Sequence, residues 1–128
     1  MKLQDNHLNY DGHMDKECVE LCDALNNIPY VITFESCSGH GKDVFRIWFK
    51  CYNLGVLSRL ARAVNRNYSD GCWEIVADST DTDPYGIFCL RTNVILTSGL
   101  ETSIHCLIES IEHWFKDEFD EYFELKKN

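Results

Sequence analysis

Basic residues are scarce in this chain: 12 lysines and arginines face 21 aspartates and glutamates, for a formal net charge of −9. A generic nucleic-acid binder gains affinity by neutralising phosphates, so this balance argues against that class. Long apolar runs are also missing. None approaches the roughly 20 residues that cross a bilayer, and nothing resembles a signal peptide, so a soluble chain without a membrane partner is expected. The seven cysteines are irregularly spaced and odd in number, with no Cys-x2-Cys pair among them. This excludes a disulfide framework and predicts reduced thiols in a cytoplasmic protein. Walker and dinucleotide spacings are absent as well, because Gly39 and Gly41 lack the third glycine and the following helix that a pyrophosphate cradle needs. What is present, 128 residues with 45% hydrophobic side chains, suits a single domain over 1–128 with a sizeable core.

Periodicity sets out the elements. Asp15 is a suitable N-cap for a helix to about Asn27, with Cys18, Leu21, Cys22 and Leu25 on its apolar face. Pro29 ends it, and Tyr30–Cys37 alternates as a half-buried strand that the Ser38–Lys42 turn joins to a second strand over Val44–Cys51. A second helix is predicted over Leu54–Asn65, with Leu57, Leu60, Ala61 and Val64 inward and Arg59, Arg62 and Arg66 opposite. Cys72–Asp78 and Gly86–Asn93 form a second hairpin around the turn-rich 79–85, and a long amphipathic helix follows from about Thr102. Its aromatic, acidic segment from Trp114 to Phe123 raises the alternative of a non-catalytic protein-interaction module.

The expected fold class is therefore α+β, in the order helix, hairpin, helix, hairpin, helix: a mostly antiparallel four-stranded sheet with all helices on one face. The inward set is Ile32, Phe34, Phe45, Ile47, Phe49, Trp73, Ile75, Phe88 and Leu90. The open face then shows Thr33, Glu35, Cys37, Arg46, Trp48, Lys50, Glu74, Val76, Asp78, Cys89 and Arg91. Such a face is solvated, forms a homodimer surface, or walls a ligand cleft.

The hairpin loop Ser36-Cys37-Ser38-Gly39-His40-Gly41 concentrates the chemistry. A core has no use for that composition. Cys37 is the candidate nucleophile and His40 its base, with Glu35 positioned to orient the imidazole. Ser36, Ser38, Gly39 and Gly41 are candidate ligand-binding positions through hydroxyls and exposed N–H groups. Arg46 and Trp48, expected on the same side as Cys37, complete a cleft suited to a planar, anionic small molecule or nucleotide, the indole stacking on a base. Cys37-x2-His40 also has the spacing of a zinc-ligand pair, but no second pair follows, so no metal is assigned. The segment 42–66 carries Lys42, Arg46, Lys50, Arg59, Arg62 and Arg66 against Asp43 alone, a basic island that faces either water or an anion.

The run Leu25-Asn26-Asn27-Ile28-Pro29-Tyr30-Val31-Ile32-Thr33, entered from a helix capped at Asp15 and leading into Ser36-Cys37-Ser38-Gly39, resembles the start of the tRNA wybutosine-synthesizing protein 3 family. Where that family has arginine after Ser-Cys-Ser-Gly, this chain has His40 and then Gly41. The resemblance implies a mixed α/β domain, S-adenosylmethionine as cofactor, and methyl transfer to a hypermodified guanosine with tRNA as partner.

The odd, scattered cysteines give a direct test. Thiol titration of anaerobically denatured protein should return seven free thiols, and two or more disulfides trapped from the native protein would overturn the reduced-compartment expectation.

Overall fold

The computed structural model describes residues 16–65, 72–78 and 86–127, without the side chains of Lys16 and of 114–127. Four strands, β1 (Val31–Cys37), β2 (Arg46–Cys51), β3 (Trp73–Ala77) and β4 (Phe88–Thr92), form one antiparallel sheet in the order β1-β2-β4-β3. Each hairpin supplies one edge and one central strand, so the two hairpins meet through β2 and β4. Helices α1 (Lys16–Asn26) and α2 (Leu54–Asn65) pack on the sheet, and α3 (Leu100–Lys127) packs against both. The fold is the expected α+β arrangement. Asp15, Arg66, the turn 79–85 and the aromatic side chains from Trp114 to Phe123 lie outside the described residues.

One continuous core explains these elements. Cys18, Leu21, Cys22 and Leu25 of α1, Val56, Leu60, Ala63 and Val64 of α2, and Ile104, Leu107 and Ile111 of α3 close over Val31, Phe45, Ile47, Phe49, Trp73 and Leu90 of the sheet. On α2 the buried stripe includes Val56 and Ala63, with Leu57 and Ala61 only half-buried, a small rotation from the expected face. Asn53 caps this helix by accepting the Val56 N–H on its side-chain oxygen at 3.1 Å. Phe45 and Trp73 meet edge to face at 5.4 Å, and the Trp73 indole donates to Ser103 Oγ at 2.8 Å, tying α3 to the sheet.

Strand β1 departs from the expected alternation. The register runs Val31 to Cys51, Ile32 to Lys50 and Thr33 to Phe49, then resumes with Glu35 to Trp48, leaving Phe34 as the extra residue of a β-bulge. Before the bulge the facing is therefore the reverse of the predicted one. Val31 and Thr33 are buried under the helices, while Ile32 and Phe34 lie on the open side, where Lys50 Nζ stands 6.0 Å over the Phe34 ring. Thr33 tolerates the core because Asn26 meets both of its polar groups: Asn26 Nδ2 donates to Thr33 Oγ1 at 2.7 Å, and the Thr33 N–H donates to Asn26 Oδ1 at 3.0 Å.

This pair joins α1 to an edge strand at its bulge. Replacing Asn26 by Ala removes the side-chain partner of the buried Thr33 N–H and one contact of its hydroxyl, so Asn26→Ala is expected to cost about 2 kcal/mol in urea unfolding. A loss below about 0.5 kcal/mol would show that the Asn26–Thr33 pair does not hold β1 in place.

Candidate functional site

After the bulge, Glu35 and Cys37 face the open side and Ser36 faces the core opposite Ile47. Cys37 stands in register with Arg46, and Arg46 in turn with Arg91, which is opposite Glu74, so one row across the sheet reads Cys37, Arg46, Arg91, Glu74. The next row reads Glu35, Trp48, Cys89, Val76. All eight residues of these two rows belong to the predicted open face, and they come together around Arg46 and Trp48, whereas Ser36 turns away.

The indole of Trp48 has a defined pose. Its Nε1 donates to Asp78 Oδ2 at 2.8 Å, although Trp48 is on β2 and Asp78 follows β3. Between those strands runs β4, so the ring lies across β4 above Cys89, its direct neighbour in register. Cys89 is consequently 3% exposed on a face otherwise open to solvent, and burial pushes its thiol up to about 11. Trp48 itself remains half-buried.

The charged groups are paired across this face. Asp43 holds the Arg46 guanidinium in a fork, Nη1 to Oδ2 at 3.1 Å and Nη2 to Oδ1 at 3.2 Å. The same carboxylate accepts the Val44 N–H at 2.7 Å, and that bond, with Arg46 beside it, holds its carboxyl below the usual range. Arg91 donates from Nε to Glu74 Oε1 at 3.0 Å.

The loop turns the chain with three successive residues at positive φ: Gly39 at 82°, His40 at 52° and Gly41 at 73°. Gly39 is confined to glycine twice over, since a Cβ there would stand 2.9 Å from the Val44 carbonyl oxygen. Backbone donors expected to face a ligand are largely used inside the loop. Gly39 N–H donates to Cys37 Sγ at 3.4 Å, His40 N–H to Ser38 Oγ at 3.3 Å, and Lys42 and Asp43 N–H groups to the Gly39 carbonyl at 2.9 and 3.1 Å. Ser38 and Gly39 are buried while His40 and Gly41 are exposed. The loop is thus a self-bonded hairpin turn, and the cationic groups on this side, Arg46, Lys50 and Arg91, are side chains of the sheet.

The remaining candidates separate. The basic island divides, with Arg46 and Lys50 on the open face and Arg59 and Arg62 on α2, across the sheet. Arg59 Nη1 donates to the Gly55 carbonyl of its own helix at 3.1 Å. Cys22 is core, its thiol pushed up to about 12 by burial against the opposing pull of the Ser36 and Thr33 hydroxyls beside it. The Ser36 hydroxyl meets no partner in hydrogen-bond geometry among the described residues. Among those residues no group of three or more His, Cys, Asp or Glu side chains is placed to hold a metal ion. An acidic groove of about 240 Å³ between α1 and α3, lined by Glu17, Glu20, Glu101 and His105, had no signal in the sequence, since its members come from two helices; His105 pairs with Glu20 at 3.0 Å.

Comparison of the chain with family models, with curated proteins and with solved structures returned no match.

The glycines can be told apart experimentally. Gly39→Ala combines positive φ with a clash against backbone and is expected to cost about 2 kcal/mol or more. Gly41→Ala, where a Cβ meets nothing within 4 Å, retains the φ cost alone, about 1 kcal/mol. Equal losses in thermal or urea unfolding would mean that close packing of the loop on Val44 is not what restricts Gly39.

Proposed function

We propose that the open face of the sheet binds a planar small-molecule or nucleotide-type ligand, which stacks on the outward face of the Trp48 indole. The observation that carries this reading is the pose of that ring: laid across β4, tethered by Asp78 and half-exposed. A side chain pinned at its edge with one π-face outward loses little freedom when a base stacks on it, and such stacking contributes about 1–3 kcal/mol. Arg46 lies two residues along the same strand and Cys37 beside it, so the reading gathers the guanidinium and the thiol at one end of the ligand. Ser38, Gly39 and Gly41 shape the turn behind them, and His40 stands at its exposed crest. Cys37 is the group we assign to any chemistry on the ligand, with His40 as its base.

The resemblance to the wybutosine-synthesizing protein 3 family supports the same class of ligand and adds S-adenosylmethionine and a modified nucleoside of tRNA to the candidates. A cytoplasmic setting is part of the same proposal.

A thermal-shift and fluorescence screen tests the reading with adenosine, guanosine, S-adenosylmethionine and S-adenosylhomocysteine, because a ligand of the native state raises the apparent stability. At least one probe is expected to raise the melting temperature. Trp48→Ala should weaken that probe by roughly tenfold or more, and Trp48→Phe by less, since a ring face survives. Binding that Trp48→Ala leaves unchanged would sink the proposal.

A further inference from the structure

On the open face, Arg46 and Arg91 stand directly opposite each other on the two central strands. Directly opposed residues of an antiparallel pair have Cβ atoms about 5 Å apart, where like charges destabilise the sheet. This chain has 12 basic residues among 128, and two of them occupy that unfavourable pair of positions. Their acidic partners do not lie between them. Asp43 precedes β2 at the sheet's end and Glu74 sits on the edge strand β3, so each carboxylate holds its arginine from the outer flank. Glu74 engages Arg91 through Nε, and a guanidinium so held has Nη donors for a further acceptor.

We propose that Arg46 and Arg91 form a phosphate subsite, so that the ligand of the open face is a phosphate monoester of nucleotide type. This rests on the stacking role of Trp48. Asp43 takes the Nη edge of Arg46 and leaves its Nε side, Glu74 takes Nε of Arg91 and leaves its Nη groups, and these remaining donors from two guanidiniums suit the several oxygens of a phosphate dianion, whereas a carboxylate would satisfy one of them alone. A bound dianion also converts the opposed pair from repulsive to bridged. The spacing agrees: Arg46 and Trp48 are two residues apart on one strand, about 7 Å, a span that a pentose covers between base and 5′-phosphate.

Calorimetric titration at fixed, low salt with adenosine, guanosine, their 5′-monophosphates and pyrophosphate tests the subsite. The monophosphates are expected to bind roughly tenfold or more tightly than the nucleosides, and the preference should shrink to about threefold or less in Arg91→Gln and in Arg46→Gln. Arg91→Lys, which keeps the charge and loses the fork, should fall between them. Glu74→Gln removes the competing carboxylate while retaining Arg91, and is expected to tighten the monophosphates; weakening to the level of Arg91→Gln would mark the pair as scaffold and overturn the subsite. Equal affinity for nucleoside and monophosphate, still abolished by Trp48→Ala, overturns the subsite and leaves the stacking reading in place. Arginine-dependent binding of pyrophosphate and monophosphates that ignores Trp48→Ala does the reverse. No binding of any probe at millimolar concentration overturns both.

Discussion

A single extra residue in β1 decides which chemistry reaches the surface. Strand side chains alternate with period two, so a strand that buries Val31 and Thr33 without interruption would also bury Glu35 and Cys37. The bulge at Phe34 advances the phase by one. Ser36 then faces the core, and Glu35 and Cys37 emerge beside Trp48 and Arg46. Its cost in lost ladder pairing is offset by Asn26, which reaches from α1 to satisfy the backbone and side chain of Thr33. The open-face site exists in its present form because helix and strand agree on that phase.

The loop serves the site by geometry more than by direct contact. Three positive-φ residues and the buried Gly39 make a turn whose donors are consumed by Cys37 Sγ, Ser38 Oγ and the Gly39 carbonyl. Such a turn holds the ends of β1 and β2 in register, which brings Cys37 against Arg46. The polar groups left available on this side are consequently side chains projecting from strands, which are held more rigidly than a loop. The hydrogen bond from Trp48 to Asp78 works in the same direction, spanning three strands of the sheet with one ring and shielding Cys89 beneath it.

Charge placement follows from topology. A chain with net charge −9 keeps Arg46, Lys50 and Arg91 on the open face and balances them there with Asp43, Glu35, Glu74 and Asp78. The arginines of α2 belong to the helical layer on the other side. A basic stretch that is continuous in sequence is thus two separate surfaces in space, and the charge that matters to the open face includes Arg91, which lies far outside that stretch.

The sequence by itself determined the element order, the α+β class, the helical layer and the facing of β2, β3 and β4, because alternation and helical periodicity are local signals that each element carries within itself. It also marked Arg46, Trp48 and Cys37 as neighbours, since a short hairpin turn fixes which residues lie opposite. The facing of Val31 to Phe34 was not legible. A bulge is stabilised by partners across the fold, here Asn26, and an alternating Val-Ile-Thr-Phe run reads equally well in either phase. The strand order that sets β2 against β4 was likewise a tertiary decision, made by how two hairpins bury their apolar faces under three helices. From that order come the Arg46–Arg91 opposition and the ring of Trp48 lying across β4, both of them contacts between residues more than 25 positions apart that no local pattern encodes.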